Sequence, residues 1–273
     1  MKTTVLYVAV VTIAPRAKLS NADLSNIELA GKDLYRCDLS GVNLSGANIQ
    51  ETGLLGCNLE GANLSGAIAH KTDFRGANLQ NANLTNADLT GAFLFRTHLQ
   101  GADLTGADLT DVQIKLALYD SHTQWPEGFK FKGSGAVGPG ATLSGAYLNT
   151  ANLKNADLSL AMMFGTYLSG ANLAGANLTG AALSGANLQK AFLTGANLQG
   201  ANLGGAELQR CDLRATNLTD VDFSTVGSIA GADFSDAVGL TDENRSKLLS
   251  HSAAELDEWN AFTRKTTRQS LEK

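Results

Sequence analysis

The sequence has little of what most catalytic and ligand-binding chains rely on. Only 6% of its 273 residues are aromatic, and it contains three prolines and three cysteines. It has no Gly-rich phosphate loop, no paired-His metal motif and no nucleophile elbow. We therefore expect no catalytic residues, no metal site and no cofactor.

The sequence also has only a small excess of charge of one sign, with 21 Lys and Arg against 26 Asp and Glu. The formal net charge is −5, and no dense basic cluster occurs, so direct nucleic-acid binding through phosphate contacts is disfavoured. The four histidines are scattered through the sequence, which argues against a metal centre. Three cysteines are an odd number and do not form a disulfide framework.

Long hydrophobic runs are absent except near the N-terminus, where Val5 to Ile13 is apolar and rich in β-branched residues. This run is too short to span a bilayer, so no membrane association is expected. We interpret residues 1–15 as an N-terminal capping strand and place the protein in the cytoplasm. The alternative is that residues 1–14 act as a signal, in which case the protein is exported or lumenal. Pro15 and Arg16 make a poor cleavage region.

What the sequence does contain is one five-residue phrase, repeated along most of its length. Its form is a small residue, Asn or Asp, Leu, a polar or small residue, and often Gly, as in residues 171–180. We call the Leu position the centre. Centres recur at every fifth position from Leu19 to Tyr119 and again from Leu143 to Phe223. After one inserted residue, Ile229 and Phe234 resume the spacing.

A period of five fits neither a long helix nor a long strand. On a helix, a Leu at every fifth position would be spread around the cylinder. On a strand, an odd period would place successive Leu residues on opposite faces. The period fits a short extended piece with two inward positions, followed by a turn that Gly makes easy. Such a chain must coil, and stacked coils pair their backbones.

The phrase resembles the pentapeptide-repeat family, A-[DN]-L-X-X, in a cyanobacterial type. The resemblance implies an all-β fold, a right-handed quadrilateral parallel β-helix in which four phrases make one coil. We divide the chain into a first array at 16–119, a loop excursion at 120–140, a second array at 141–236 and a short C-terminal α-helical cap at 237–273.

Residues that are four phrases apart should then lie in one column. Cys37 and Cys57 are predicted to be stacked free thiols, because in-register Cβ atoms are too far apart for a disulfide. Undersized Ala69 is expected to make room for the ring of Phe74. A ladder of outward side chains is predicted at Asp157, Asn177, Asn197 and Asn217.

The loop excursion carries its own motif. It is similar to a recurrent insert of cyanobacterial family members, in which a Tyr precedes Thr-x-Trp/Phe-Pro-x-Gly-Phe. The matching residues are Tyr119, Thr123, Trp125, Pro126, Gly128 and Phe129. Lys130 replaces the acidic residue that usually follows. We expect Trp125, Phe129 and Phe131 to fold down as a side cluster; the alternative is a partner-binding loop.

The C-terminal tail shows helix signals. Thr241 can cap a short helix through about Ser250, and Ser252 to Glu255 reads as a capping box that opens a second helix. Leu256, Trp259 and Phe262 would lie along one side of it. We expect this segment to cap the last coil, because open strand edges invite aggregation. A homodimer contact through the C-terminal helices is the competing interpretation.

Outward aromatic residues form the candidate interaction surface, since exposed aromatics can anchor a partner. The candidates are Trp125, Phe129, Phe131, Tyr147, Tyr167, Phe192, Phe93 and Phe95. The competing interpretation is that they pack under the loop or the tail. We predict a non-catalytic β-helical scaffold that binds an unidentified protein. The alternative, which the resemblance implies, is an acidic DNA-mimic rod that binds a type II topoisomerase such as gyrase.

Overall fold

The computed structural model describes residues 13–272, and residues 1–12 of the predicted capping strand lie outside them. The chain divides into two compact units. The first comprises residues 13–114 and Gln124–Phe129, and the second comprises Lys115–Thr123 and residues 130–272.

Within each unit the chain forms stacked coils joined by parallel β-bridges. The bridging residue is the outward residue before each centre, and its partner is the equivalent residue four phrases later, as in Asn43 with Asn63 and Asn177 with Asn197. Each phrase contributes one bridge, so four phrases complete a coil with four sides. Most centres donate their N–H to the next coil; Leu59 N lies 2.7 Å from Asn78 O. The bridges between residues twenty positions apart therefore show four phrases in each coil.

Each corner is a tight turn. Ala62 N donates to Leu59 O at 3.0 Å, and Gly61 between them has a φ of +64°. A positive φ at the third of four turn residues defines a type II turn, which favours Gly and Asn. This requirement explains the glycines and asparagines at the last position of the phrase.

The two inward positions of each phrase form the core. The centres from Leu29 to Phe223 are buried, together with the small residues two positions before most of them. Phe74 and Ala69 are both fully buried, so the large ring and the undersized side chain lie within the same core. Leu19 and Leu24, in the first described coil, are half-buried.

Most polar side chains at the small inward position follow one rule, from which Thr216 departs by donating to Leu213 O in its own coil. A Thr or Cys at the small inward position donates to the backbone carbonyl of a centre in the preceding coil. Cys57 Sγ lies 2.9 Å from Leu34 O, and Cys211 Sγ lies 2.7 Å from Leu188 O. The threonines that do the same are Thr52, Thr72, Thr97 and Thr166.

The predicted stacking of Cys37 on Cys57 is confirmed. Cys37 N donates to Cys57 Sγ at 3.3 Å across adjacent coils, and both thiols are free and buried. Burial raises the pKa of the Cys57 thiol to about 12, because the charged thiolate would be desolvated.

The repeat changes register in two places. Within the interval 120–140, Gln124 bridges Asp103 and Val137 bridges Leu118, so parts of this interval pair as coil. Near the C-terminal end of the second array the bridged partners are one residue further apart in sequence, as in Asp212 with Asp233. Ile229 and Phe234 stay buried there, which confirms the predicted insertion of one residue.

The tail contains α1 (Asp242–Leu249), α2 (Ala253–Leu256), β1 (Trp259–Asn260), β2 (Lys265–Thr266) and α3 (Thr267–Leu271), and β1 pairs antiparallel with β2. A single turn of 3₁₀ helix lies at Phe131–Gly133. Thr241 caps α1 as predicted, accepting from Asn244 N at 3.1 Å.

The prediction of a second helix carrying Trp259 and Phe262 is wrong, because α2 ends at Leu256. Ser252 does cap α2, accepting from Glu255 N. The Glu255 carboxylate, however, contacts His251 Nδ1 at 2.6 Å. One half of the predicted capping box therefore forms.

Candidate functional site

A stacked pair of tyrosines lies on the outside of the second unit. Tyr147 and Tyr167 bridge adjacent coils, and their rings are parallel within 3° with centroids 4.7 Å apart. The Tyr147 residue is 75% exposed, and the Tyr167 residue is 41% exposed. Both were predicted as outward aromatics, and their register places them one above the other.

Three apolar side chains continue this surface along the coil of Tyr167. Met162 lies at the outward position of the preceding side, and Leu160 and Phe164 lie at the corners on either side of it. All three are exposed. We define the apolar patch as Tyr147, Leu160, Met162, Phe164 and Tyr167.

Leu160 holds the left-handed backbone conformation of a corner residue. Its φ is +57°, in the left-handed region where a bulky L-residue pays a steric cost of about 1–2 kcal/mol. The equivalent corner of the next coil is Gly180, and a Cβ there would lie 2.8 Å from Leu160 Cδ2. The missing side chain of Gly180 therefore leaves room for Leu160, although Leu160 itself stays 69% exposed.

The other candidate aromatics of the second unit have ring partners. Phe192 is half-buried and meets the tail residue Phe262 edge-on, with centroids 5.6 Å apart. Phe131 meets Tyr119 edge-on at 5.4 Å. These two candidates contribute less free surface than the apolar patch does.

The candidates of the first unit do not form one surface of this kind. Trp125 and Phe129 are half-buried, with ring centroids 5.5 Å apart. Phe93 occupies an outward position between Asp73 and Gln113. Phe95 is exposed, and the Arg96 guanidinium lies 5.1 Å from its ring centroid.

Polar chemistry on the described surface is structural in character. Asn177 Nδ2 donates to Asp157 Oδ1 at 3.1 Å, and Asn217 Nδ2 donates to Asn197 Oδ1 at 3.0 Å. Between them, Asn197 instead donates to Thr179 Oγ1 at 2.9 Å. The predicted ladder therefore forms with one detour through a threonine.

Two corner Arg side chains pair with the outward Asp two positions earlier. Arg75 binds Asp73 and Arg214 binds Asp212, each through two nitrogen–oxygen contacts of 2.6–2.8 Å. Burial opposes ionisation of both carboxyls, yet hydrogen bonds from the arginines leave their pKa values below the usual range. These ion pairs brace corners of the coil.

Two other kinds of feature are absent from residues 13–272. No group of three or more His, Cys, Asp or Glu side chains in this range could hold a metal ion. None of the helices in the same range is long and apolar enough to cross a membrane.

Sequence reasoning missed Leu160, Met162 and Phe164. Their signal was available, since each places a large apolar side chain at an outward or corner position that polar or small residues usually fill. The two tyrosines were recognised because they are aromatic and one coil apart. Leu160 and Met162 are not aromatic, and Phe164 has serines, not aromatic residues, one coil away on either side.

These features define a repeat protein whose coils carry an outward apolar patch. The family model of pentapeptide repeats matches it over residues 17–54, 43–81, 57–94, 77–114, 140–169, 161–200 and 193–226. The chain belongs to the pentapeptide-repeat family, whose members are right-handed quadrilateral β-helices and are generally non-catalytic structural or interaction proteins. No curated protein matches it.

Solved structures of the family are similar to this chain. HetL from the cyanobacterium Nostoc sp. strain PCC 7120, involved in heterocyst differentiation regulation, is 30% identical, with 82% of this chain and 91% of HetL covered and a TM-score of 0.33. A thylakoid-lumen protein of Arabidopsis thaliana is 30% identical, with 48% of this chain and 86% of that chain covered and a TM-score of 0.37. QnrB1, a plasmid-mediated fluoroquinolone resistance protein, is 18% identical, with 86% and 97% covered and a TM-score of 0.33.

Proposed function

We propose that this protein is a non-catalytic β-helical scaffold that binds another protein through the apolar patch. The observation that carries the proposal is the exposure of five large apolar side chains that lie together on one part of the surface. Exposed apolar surface of this kind marks interaction sites in soluble proteins. At many interfaces a few residues contribute most of the binding free energy, and tyrosines such as Tyr147 and Tyr167 are enriched among them.

Affinity capture from the native cell tests this proposal. The tagged protein and its Tyr147→Ser variant are compared, with Leu55→Ser as the control. Leu55 is an exposed corner residue of the first array. We expect the Tyr147 variant to lose the partner and the Leu55 variant to keep it. Equal recovery by all three would contradict the assignment of the apolar patch.

The competing function is an acidic DNA mimic that binds gyrase. The observation in its favour lies in the first array, where Asp88 and Asp108 occupy one outward column in adjacent coils. Arg75 and Arg96 interrupt the acidic surface of the same array. A gyrase supercoiling assay separates the two functions. The scaffold predicts unchanged supercoiling at micromolar protein, and inhibition would favour the mimic.

We propose that the tail caps the last coil of the second array. Asn260 Nδ2 donates to Gly231 O at 2.7 Å, and Thr267 Oγ1 donates to Ile229 O at 3.0 Å. Asn260 and Thr267 are buried, so their side chains satisfy backbone carbonyls that would otherwise face solvent. Asn260→Ala should lower the melting temperature and promote aggregation; an unchanged melt would argue against a cap.

We place the protein in the cytoplasm, on the ground that three free thiols suit a reducing compartment. The exported or lumenal alternative depends on residues 1–14 acting as a signal. N-terminal sequencing of the protein from its native cell decides between them, because a cleaved signal would remove that segment.

A further inference from the structure

Charge is almost absent from one stretch of the chain. The sequence has 21 Lys and Arg and 26 Asp and Glu, yet residues 133–189 contain just two of them, Lys154 and Asp157. We call residues 133–189 the neutral belt. All five residues of the apolar patch lie in it. The surface that is most apolar therefore also carries the least charge.

The corner column beside the tyrosines contains two glycines with open space around them. Gly145 and Gly165 lie in one corner column, and no other heavy atom comes within 4 Å of where their Cβ atoms would be. Ser144 and Ser184, the corner residues on either side of Phe164 in the column, are short and uncharged. Another backbone could approach closely at this corner, with Tyr147 and Phe164 on its two sides.

Leu160 adds an argument from strain. A glycine or asparagine would hold the same corner without the steric cost of a left-handed Leu. Other large side chains share this conformation, but Leu116 is half-buried whereas Leu160 is exposed. A Leu that stays 69% exposed at a corner buries little area for the fold, whereas it adds apolar area to an interface.

We infer that the neutral belt binds a second copy of this chain, with the two apolar patches packed against each other. The inference rests on the proposed function and names its partner. Charge is the deciding argument. Each copy has a net charge of −5, so two copies repel one another over most of their surfaces. The neutral belt is where like charges interfere least, whereas an acidic or basic partner would find few charges there to pair with.

The chemistry of the apolar patch also suits an isologous contact. In a two-fold dimer the same surface faces itself, so it must be self-complementary. Apolar and aromatic side chains meet this condition, whereas a surface of one charge does not. One face of the Tyr147 ring stacks on Tyr167, and the high exposure of Tyr147 leaves its other side open to a ring of the second copy.

Sedimentation velocity on the full chain tests the inference, over about 1 to 100 µM, where interfaces of modest affinity dissociate. We expect the wild type to form dimers. Leu160→Gly and Tyr147→Ser should each weaken dimerisation at least about tenfold, the effect of removing a strong interface contact. Leu55→Ser, which removes an exposed Leu outside the neutral belt, should change it less than about twofold. Leu160→Gly relieves the steric cost of a left-handed Leu, so we expect the variant to stay folded, and a thermal melt checks this.

Two outcomes would overturn the inference. One is a wild type that stays monomeric throughout the concentration range. The other is a dimer that Trp259→Ser dissociates and Tyr147→Ser does not, which would place the contact on the tail, where Trp259 is exposed.

The affinity-capture experiment separates failure of this inference from failure of the proposed function. If the chain is monomeric but Tyr147→Ser still loses a different protein, the scaffold proposal stands and the second copy is wrong as the partner. If Tyr147→Ser loses nothing and the chain is monomeric, both proposals fail. Recovery of untagged copies of this chain by the wild type, and not by Tyr147→Ser, supports both.

Discussion

The first and second arrays place the same residue types inside and different ones outside. In the first array most of the outward bridging positions hold Asp or Asn, and the neighbouring corners carry Arg and Lys. In the second array the neutral belt has two tyrosines and a methionine at the equivalent positions. The inward columns are Leu and Ala in both. The inward positions of the phrase therefore stay similar while the outward positions differ, and each set can be changed separately.

The strongest test of the shared interior compares one centre from each array. Leu84 and Leu183 are fully buried centres. Leu84→Ala and Leu183→Ala should each lower the free energy of unfolding by about 2–5 kcal/mol, since each leaves a cavity. Urea denaturation followed by circular dichroism measures both. A difference between the two variants of more than about 2 kcal/mol would show that the interiors are not equivalent.

The buried thiols give the comparison a pH dependence. Cys57 in the first array and Cys211 in the second have pKa values raised by burial. In the unfolded chain a thiol loses its proton above about pH 9, whereas folded Cys57 keeps it up to about pH 12. Stability is therefore lost as pH rises between these values, by about 1.4 kcal/mol per pH unit for each thiol.

Cys57→Thr is the matched variant for this prediction, because threonines elsewhere in the same position donate the same hydrogen bond. Urea denaturation at pH 8, 9 and 10 should show a shallower loss of stability for Cys57→Thr than for the wild type. Parallel pH profiles would mean that the folded thiol ionises near its ordinary pKa.

The corners differ in how much space a side chain would have, and two glycines allow this difference to be measured. Gly46 and Gly66 lie in one corner column, both with positive φ. A Cβ on Gly46 would lie 2.5 Å from Asn26 Oδ1, whereas one on Gly66 would meet nothing within 4 Å. Each Gly→Ala variant pays about 1 kcal/mol for its backbone conformation. We expect Gly46→Ala to cost about 1 kcal/mol more, because Asn26 must move.

Adding Asn26→Gly to Gly46→Ala should remove the extra cost, and a double-mutant cycle from thermal melts measures the coupling. The same relation recurs at several corners where an Asn is left-handed. The pairs are Asn21 with Gly41, Asn26 with Gly46, Asn81 with Gly101, Asn86 with Gly106 and Asn155 with Gly175. Additive effects of the two substitutions would show that Asn26 and residue 46 are not energetically coupled.

Most of the fold could be predicted from the sequence because the period is so regular. Each phrase repeats the same steric requirement, and the resemblance to the pentapeptide-repeat family implies four phrases per coil, from which the columns follow. The tail could not be predicted as well. Its helices are short, and the pairing of Trp259–Asn260 with Lys265–Thr266 depends on contacts with the last coil, which no local pattern encodes.

The candidate site could be predicted in part. Tyr147 and Tyr167 are four phrases apart, so the column rule places them together. Leu160 breaks the pattern of small or polar residues at the corner positions, but the sequence alone does not show that its side chain stays exposed on a left-handed corner. Phe192 was predicted as outward, and its contact with Phe262 depends on how the tail folds back.

Leu160→Gly, for which we expect the smallest change in the free energy of unfolding, separates the requirements of folding from those of binding most directly. Leu160→Gly removes a strained left-handed Leu and little buried area, so it should raise the free energy of unfolding slightly, by up to about 1 kcal/mol. Thr150→Gly is the control, since Thr150 is also a left-handed corner residue of the neutral belt. Both variants should be at least as stable as the wild type in urea denaturation, while Leu160→Gly alone weakens dimerisation. If Leu160→Gly instead lowers stability, the side chain serves the fold through its contact over Gly180, and the strain argument for an interface is wrong.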